Sequence, residues 1–161
     1  RATSFSYIFE TVLDFHPNHY SESAGSGLYY DSNNWLYARL YWSESLNSIT
    51  LGVLQAKLGE RIEYVHHKIS IRDGHISLKF VYDYGLAKVF YKIKESEPWQ
   101  TLVDKMDVSY LSDEGVNGEP GEIGGFTGLF NFIGAIDAHQ HDSFADFSYY
   151  RVVNNEKKNN R

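Results

Sequence analysis

Residues 5–15 read FSYIFETVLDF, and their reading decides the fold. Phe5, Tyr7, Phe9, Leu13 and Phe15 fall on one alternating set, with Ser6, Glu10 and Asp14 on the other. Successive side chains of a strand point to opposite faces, so a period of two marks a strand with one face in a core. Further along, WLYARLYW (35–42) follows Asn33-Asn34 and is apolar on both faces apart from Arg39, which suits a central strand. NSITLGVLQA (47–56) and RIEYVHHKI (61–69) read as strands joined by a short Leu-Gly-Glu turn. Arg72-Asp73-Gly74 turns the chain into HISLKFVY (75–82), where Ile76, Leu78, Phe80 and Tyr82 alternate. Asp83-Tyr84-Gly85 leads into LAKVFYKI (86–93), and WQTL (99–102) is a further short strand.

Only VDKMDVSYLSDE (103–114) carries a spacing that predicts a helical turn or two. The stretch GVNGEPGEIGG (115–125) reads as a long exposed loop. GLFNFIGAI (128–136) and FADFSYYRVV (144–153) are the closing strands, before a polar tail over 154–161. Short strands recurring every 8–12 residues or so, with turns between, predict an antiparallel two-sheet β-sandwich. One domain over residues 1–153 accounts for all of them.

The chain has 161 residues, enough to bury a core of its own. A net charge of −6 argues against a surface that tracks phosphates, so no nucleic-acid partner is expected. Cysteine is absent, which rules out disulfides and suits a reducing compartment such as the cytoplasm. No apolar run is long enough for a helix to cross a bilayer. The chain reads as a piece of a longer protein, whose signal peptide, if it has one, would not be visible. Its 13 tyrosines, 10 phenylalanines and 3 tryptophans suit pleated surfaces, and also sugar binders and adhesive interfaces.

Hydrolysis of a glycoside needs two carboxylates facing each other across a cleft. Asp31, Asp73, Asp83, Asp113 and Glu114 stand singly in turns, and the adjacent Asp113 and Glu114 should point apart. His139 and His141, with Asp142, could hold a metal, but without a third spaced ligand they read as a polar hairpin turn. Neighbouring His66 and His67 face opposite ways on a strand. Gly115, Gly118 and Gly121 do not open a helix, so they form no phosphate loop. Trp35, Tyr37 and Tyr41 share one face, with Tyr29 just upstream. Such a row can stack on sugars; the alternative, favoured because rings dominate cores energetically, is sandwich interior.

Several stretches together resemble one known module. GLYYDSNNWLYARLYWSE, YLSDE, the glycine-rich loop, GGFTGLF and ADFSYY occur in the order seen in the C-terminal sandwich of glycoside hydrolase family 43. That module is a concanavalin A-like jelly roll of β-xylosidases and α-L-arabinofuranosidases, and the likeness runs from about Phe5 to Tyr150. The resemblance implies a parent enzyme in which a five-bladed propeller holds the catalytic carboxylates and precedes this domain. The parent substrate would be a xylo- or arabino-oligosaccharide. In relatives the Gly-Phe-Thr-Gly loop reaches over the propeller's pocket, which carries onto Gly125, Phe126 and Thr127 here. Glycines at 124, 125 and 128 permit backbone turns closed to other residues. A ring on such a hinge can leave its own domain; the other reading is an ordinary rim contact.

Two positions depart from the family pattern. Ser148 stands where the family commonly has a second acid, and Asn131-Phe132 where it commonly has Val-Gly. In some relatives calcium sits between the first and last strands, which makes Glu10 and Asp146 the candidate ligands; no other cofactor is expected. Hard cations need six or more oxygens, so losing an acid weakens such a site. Three functions remain open: an accessory domain capping the propeller, a carbohydrate-binding module using Trp35, Tyr37 and Tyr41, and a structural module, including one that supports a homo-oligomer.

Overall fold

Alternation in the sequence becomes two antiparallel sheets in a computed structural model of the chain, which describes residues 1–116, 125 and 127–155. The described strands, in chain order, are β1 (Ser6–Asp14), β2 (Glu22–Asp31), β3 (Asn34–Ser43), β4 (Ser48–Lys57), β5 (Glu60–Glu63), β6 (Ile69–Ser70), β7 (His75–Asp83), β8 (Leu86–Lys92), β9 (Gln100–Asp107), β10 (Phe130–Asp137) and β11 (Asp146–Asn154). One sheet runs β11-β1-β7-β8-β9 and the other β10-β2-β3-β4-β5, with β6 also on β4. The fold is the expected antiparallel sandwich, and no α-helix occurs among the described residues.

The core lies between the inward rows. Phe9, Leu13, Leu78, Phe80 and Val89 from the first sheet meet Leu28, Leu36, Leu40, Leu51 and Val53 from the second, all buried. Phe9 stacks on Phe80 at 5.7 Å and tilts against Tyr150 at 5.0 Å. Aromatic pairs of this kind add about 0.5–1.5 kcal/mol beyond the area they bury.

Four expectations need correcting. Phe5 precedes β1 and is exposed, stacking on Tyr84 at 6.0 Å instead of joining the core row. The strand expected over 61–69 is broken into β5, a 3₁₀ turn (Val65–His67) and β6, because the turn buries none of its residues. The helical turn expected within 103–114 is strand up to Asp107. Register shifts between β8 and β9 break the period of two there. Leu102, Val103 and Met106 are therefore all buried, a spacing that imitates a helix. Finally, β2 went unrecognised as a strand, since its ESAGSG half is made of residues that strands ordinarily avoid.

Candidate functional site

Tyr30 anchors the loop that carries Gly125, Thr127 and Gly128. It sits on β2 almost fully buried, and its hydroxyl donates to Asp113 Oδ1 at 2.5 Å. A Cβ on Gly125 would lie 2.6 Å from the Tyr30 ring, so only glycine lets the backbone rest on that ring. Burial, then the Asp113 carboxylate, raises the Tyr30 pKa, while backbone N–H groups of Thr127 and Gly128 pull the other way. Gly128 has φ +74°, and a Cβ there would meet the Arg1 guanidinium at 2.5 Å. The amide of Ala2 donates to the Leu129 carbonyl at 2.7 Å. Gly125 thus lies against Tyr30, and Gly128 and Leu129 lie beside the N-terminal residues Arg1 and Ala2. Thr127 is exposed, and Phe126 lies outside the described residues.

Trp35, Tyr37 and Tyr41 do share a face, but it is the outer face of the second sheet. The favoured core reading is corrected: Leu36, Ala38 and Leu40 of β3 face the core, and the odd-numbered residues face away. Tyr37 and Tyr41 are nonetheless only 6% exposed. Register explains how outward rings become covered. One rung across four strands aligns Phe132, Gly27, Tyr37 and Leu54. The next aligns Gly134, Gly25, Arg39 and Gly52, so Arg39 stands in a rung otherwise made of glycine. The Phe132 ring lies over Gly27, where a Cβ would come within 2.9 Å of it, and the Tyr41 ring lies over Gly52. Phe132 tilts against Tyr37 at 5.5 Å and meets Tyr29 edge-on at 6.3 Å.

Beside Gly134 lies a cavity of about 430 Å³, lined by the rings of Tyr29, Trp35, Tyr37 and Phe132 and by Arg39 and Arg61. The Arg39 guanidinium lies 4.4 Å from the Tyr41 ring centre and 3.9 Å from Glu63. Lys68 also reaches Glu63, at 3.4 Å. Burial, with the Ser23 contact and the Arg39 charge opposing it, raises the Tyr37 phenol pKa and keeps it neutral. Phe132, Arg61 and the glycine rung were not read as one site from sequence. The glycines of GSG and IGA were the available signal, because glycine in a strand marks close approach of another group.

Glu10 and Asp146 both stand on the first sheet's outer side, yet they are not brought together. Glu10 pairs in register with Arg151, whereas Asp146 is opposite Asp14, four residues further along β1 or roughly 13 Å at a strand's rise. Two carboxylates on one calcium must come within about 5 Å of each other. Glu10 instead contacts Arg151 at 3.7 Å and accepts from the Tyr149 hydroxyl at 3.4 Å. The pair does not fit a shared ion. Among the described residues no group of three His, Cys, Asp or Glu side chains is arranged to hold one.

Several other acids and histidines among the described residues have identifiable surroundings. Glu10 and Glu95 both line an open groove on the first sheet, where Glu95 is exposed and Glu10 contacts Arg151. Asp137 opens the β10–β11 connection, its carboxylate accepting from the amides of His139, Asp142 and Ser143 and from the Ser143 hydroxyl. These bonds, those of Ser143 foremost, hold its pKa well below the usual carboxylate range. His139 stacks on His19 at 3.9 Å, and His141 takes a positive φ of 62°. The AHQHDS stretch is a polar connection but not the hairpin turn expected, because β10 and β11 lie in different sheets. His66 and His67 lie in the 3₁₀ turn.

Comparison with known proteins accounts for this architecture. Residues 1–153 match the family model described as the beta xylosidase C-terminal concanavalin A-like domain. The beta-xylosidase of Bacillus subtilis (strain 168) is 24% identical over 163 residues, covering 94% of this chain and 28% of that protein. Xylosidase/arabinosidase 43B of Humicola insolens is 30% identical over 154 residues, covering 93% and 28%. The crystal structure of xylan beta-1,4-xylosidase from Bacillus halodurans C-125 superimposes with a TM-score of 0.86 at 26% identity, covering 94% of this chain and 28% of that one. The chain spans little more than a quarter of the length of these relatives. It belongs to the beta xylosidase C-terminal concanavalin A-like domain family, the accessory sandwich of glycoside hydrolase family 43 enzymes.

Proposed function

We propose that this domain caps the active site of a preceding propeller domain in a family 43 glycoside hydrolase that removes xylose or arabinose from chain ends. The reaction belongs to two propeller carboxylates, held far enough apart to admit water and invert the anomeric centre. This sandwich supplies a wall, in the form of the Phe126 ring. Closing a pocket with an aromatic group excludes water, strengthens the electrostatics inside and blocks one direction of the sugar chain.

The anchoring of the loop carries this reading. Gly125 rests on the Tyr30 ring, and Gly128 takes a left-handed turn against Arg1, so the residues on either side of Phe126 are anchored, the later of them beside the N-terminal segment. A domain that precedes this one connects at that same end. The relatives whose names describe xylosidases and arabinosidases extend far beyond the matched region, which leaves room for such a domain.

Replacing Phe126 by alanine in the full-length enzyme tests the proposal. Catalytic efficiency on a xylo-oligosaccharide should fall by roughly tenfold or more, the loss of one well-placed apolar contact in a closed site, while the melting temperature stays unchanged. Unaltered kinetics would remove the capping role.

A further inference from the structure

The cavity on the outer face of the second sheet has a chemistry that capping does not use. It combines three features. Its lining includes Gly134 and Arg39, members of one rung of the sheet in which Gly25 lies between them. Its walls are the rings of Tyr29, Trp35, Tyr37 and Phe132. Two arginines line it, Arg39 and Arg61.

Aromatic rings offer a planar apolar surface to the C–H faces of a sugar, and this would suit a neutral saccharide equally well. The cations decide for a charged one. Glu63 is the carboxylate that faces this group, and it is shared by Arg39 and Lys68. Two cations thus share Glu63 while Arg61 has no ion pair among the described residues, in a chain whose net charge is −6. Arg39 lies over the Tyr41 ring, 4.4 Å from its centre, a contact that restricts its side chain before any ligand arrives. A guanidinium fork matches a carboxylate through two parallel hydrogen bonds.

We propose that this slot is a second saccharide site, separate from the capping loop, that takes an oligosaccharide carrying a uronic acid. One sugar ring stacks in the aromatic walls, and the uronate carboxylate meets Arg39 and Arg61. The site does not depend on the capping role. Only the choice of a xylose backbone for the probe rests on that reading.

The test is tryptophan fluorescence and calorimetric titration of this chain with three probes: xylotetraose bearing one glucuronosyl branch, unbranched xylotetraose, and free glucuronate. The branched sugar should bind saturably and roughly tenfold more tightly than the unbranched one, a difference that matches one charge-assisted contact. Salt should weaken it. Arg61→Gln, at an exposed position that leaves the fold intact, should remove the preference, and Phe132→Ala should weaken both sugars. Equal affinity for the two tetrasaccharides, an unchanged preference in Arg61→Gln, or no saturable signal with any probe would overturn the proposal. None of these outcomes bears on Phe126 kinetics, so the two readings fail separately.

Discussion

Phe9, between the two sheets, and Tyr37, on the outer face of the second sheet, are shielded almost equally. Phe9 is 0% exposed and Tyr37 is 6% exposed. What shields them differs. Phe9 is covered by side chains that come from both sheets, so removing it opens a void that nothing can fill. Tyr37 packs against a neighbour on its own face, Phe132, whose ring in turn lies over Gly27. The first arrangement holds the fold together. The second leaves an edge of each ring turned toward a cavity, and such a surface is available to a ligand. Burial alone does not distinguish a core ring from a site ring; the source of the cover does.

The largest effect should come from the core. Phe9→Ala should destabilise the chain by about 3–5 kcal/mol, the usual result of a large-to-small change at a fully packed ring. Urea denaturation measures it, and a loss comparable to that of an outer-face ring would erase the distinction. Next comes the glycine beneath the Phe132 ring. Gly27→Ala places a Cβ 1.9 Å from the Leu36 carbonyl oxygen and 2.9 Å from the Phe132 ring, so strand and ring must both move. A cost of about 1–3 kcal/mol is expected, typical of overpacking. If the variant matches the parent in stability and in near-ultraviolet dichroism, the rings are not seated on glycine as described.

The smallest effect concerns a region outside both sets of rings and appears only in acid. The folded-state pKa of Asp137 is depressed by its bonds to Ser143 and His139. Its contribution is therefore present above the ordinary aspartate pKa and is lost as pH falls through the folded value. Asp137→Asn should leave thermal stability near neutral pH lower than in the parent. Below about pH 4, where an ordinary aspartate protonates, the two curves should converge. Parallel curves throughout the acid range would show that the β10–β11 connection does not depend on this carboxylate.

Much of this molecule could be read from the sequence, and the failures have physical causes. Strands β1, β3, β4, β7 and β8 announced themselves because each alternates cleanly or is apolar on both faces. The strand β2 did not, since the glycines that make it fit beneath Phe132 also remove its β signature. The end of β9 misled through register shifts that imitate a helical period. For the candidate site, sequence placed Trp35, Tyr37 and Tyr41 on one face but could not say which side of the sheet that face is. Deciding this needs the cross-strand register, which aligns residues more than 100 positions apart, as with Phe132 and Gly27. Likewise Glu10 and Asp146 lie on adjacent strands, as supposed, but four residues out of register. Phe126 was singled out by family resemblance and by its glycines, and Tyr30, the residue that fixes its loop, was not.

The most direct measurement is a crystal structure of the full-length enzyme with xylose in its catalytic pocket. The account predicts that the Phe126 ring lies in van der Waals contact with the sugar or with the pocket wall beside it, at about 4 Å. A Phe126 ring folded back onto its own sandwich, with the catalytic pocket closed by other residues, would contradict it.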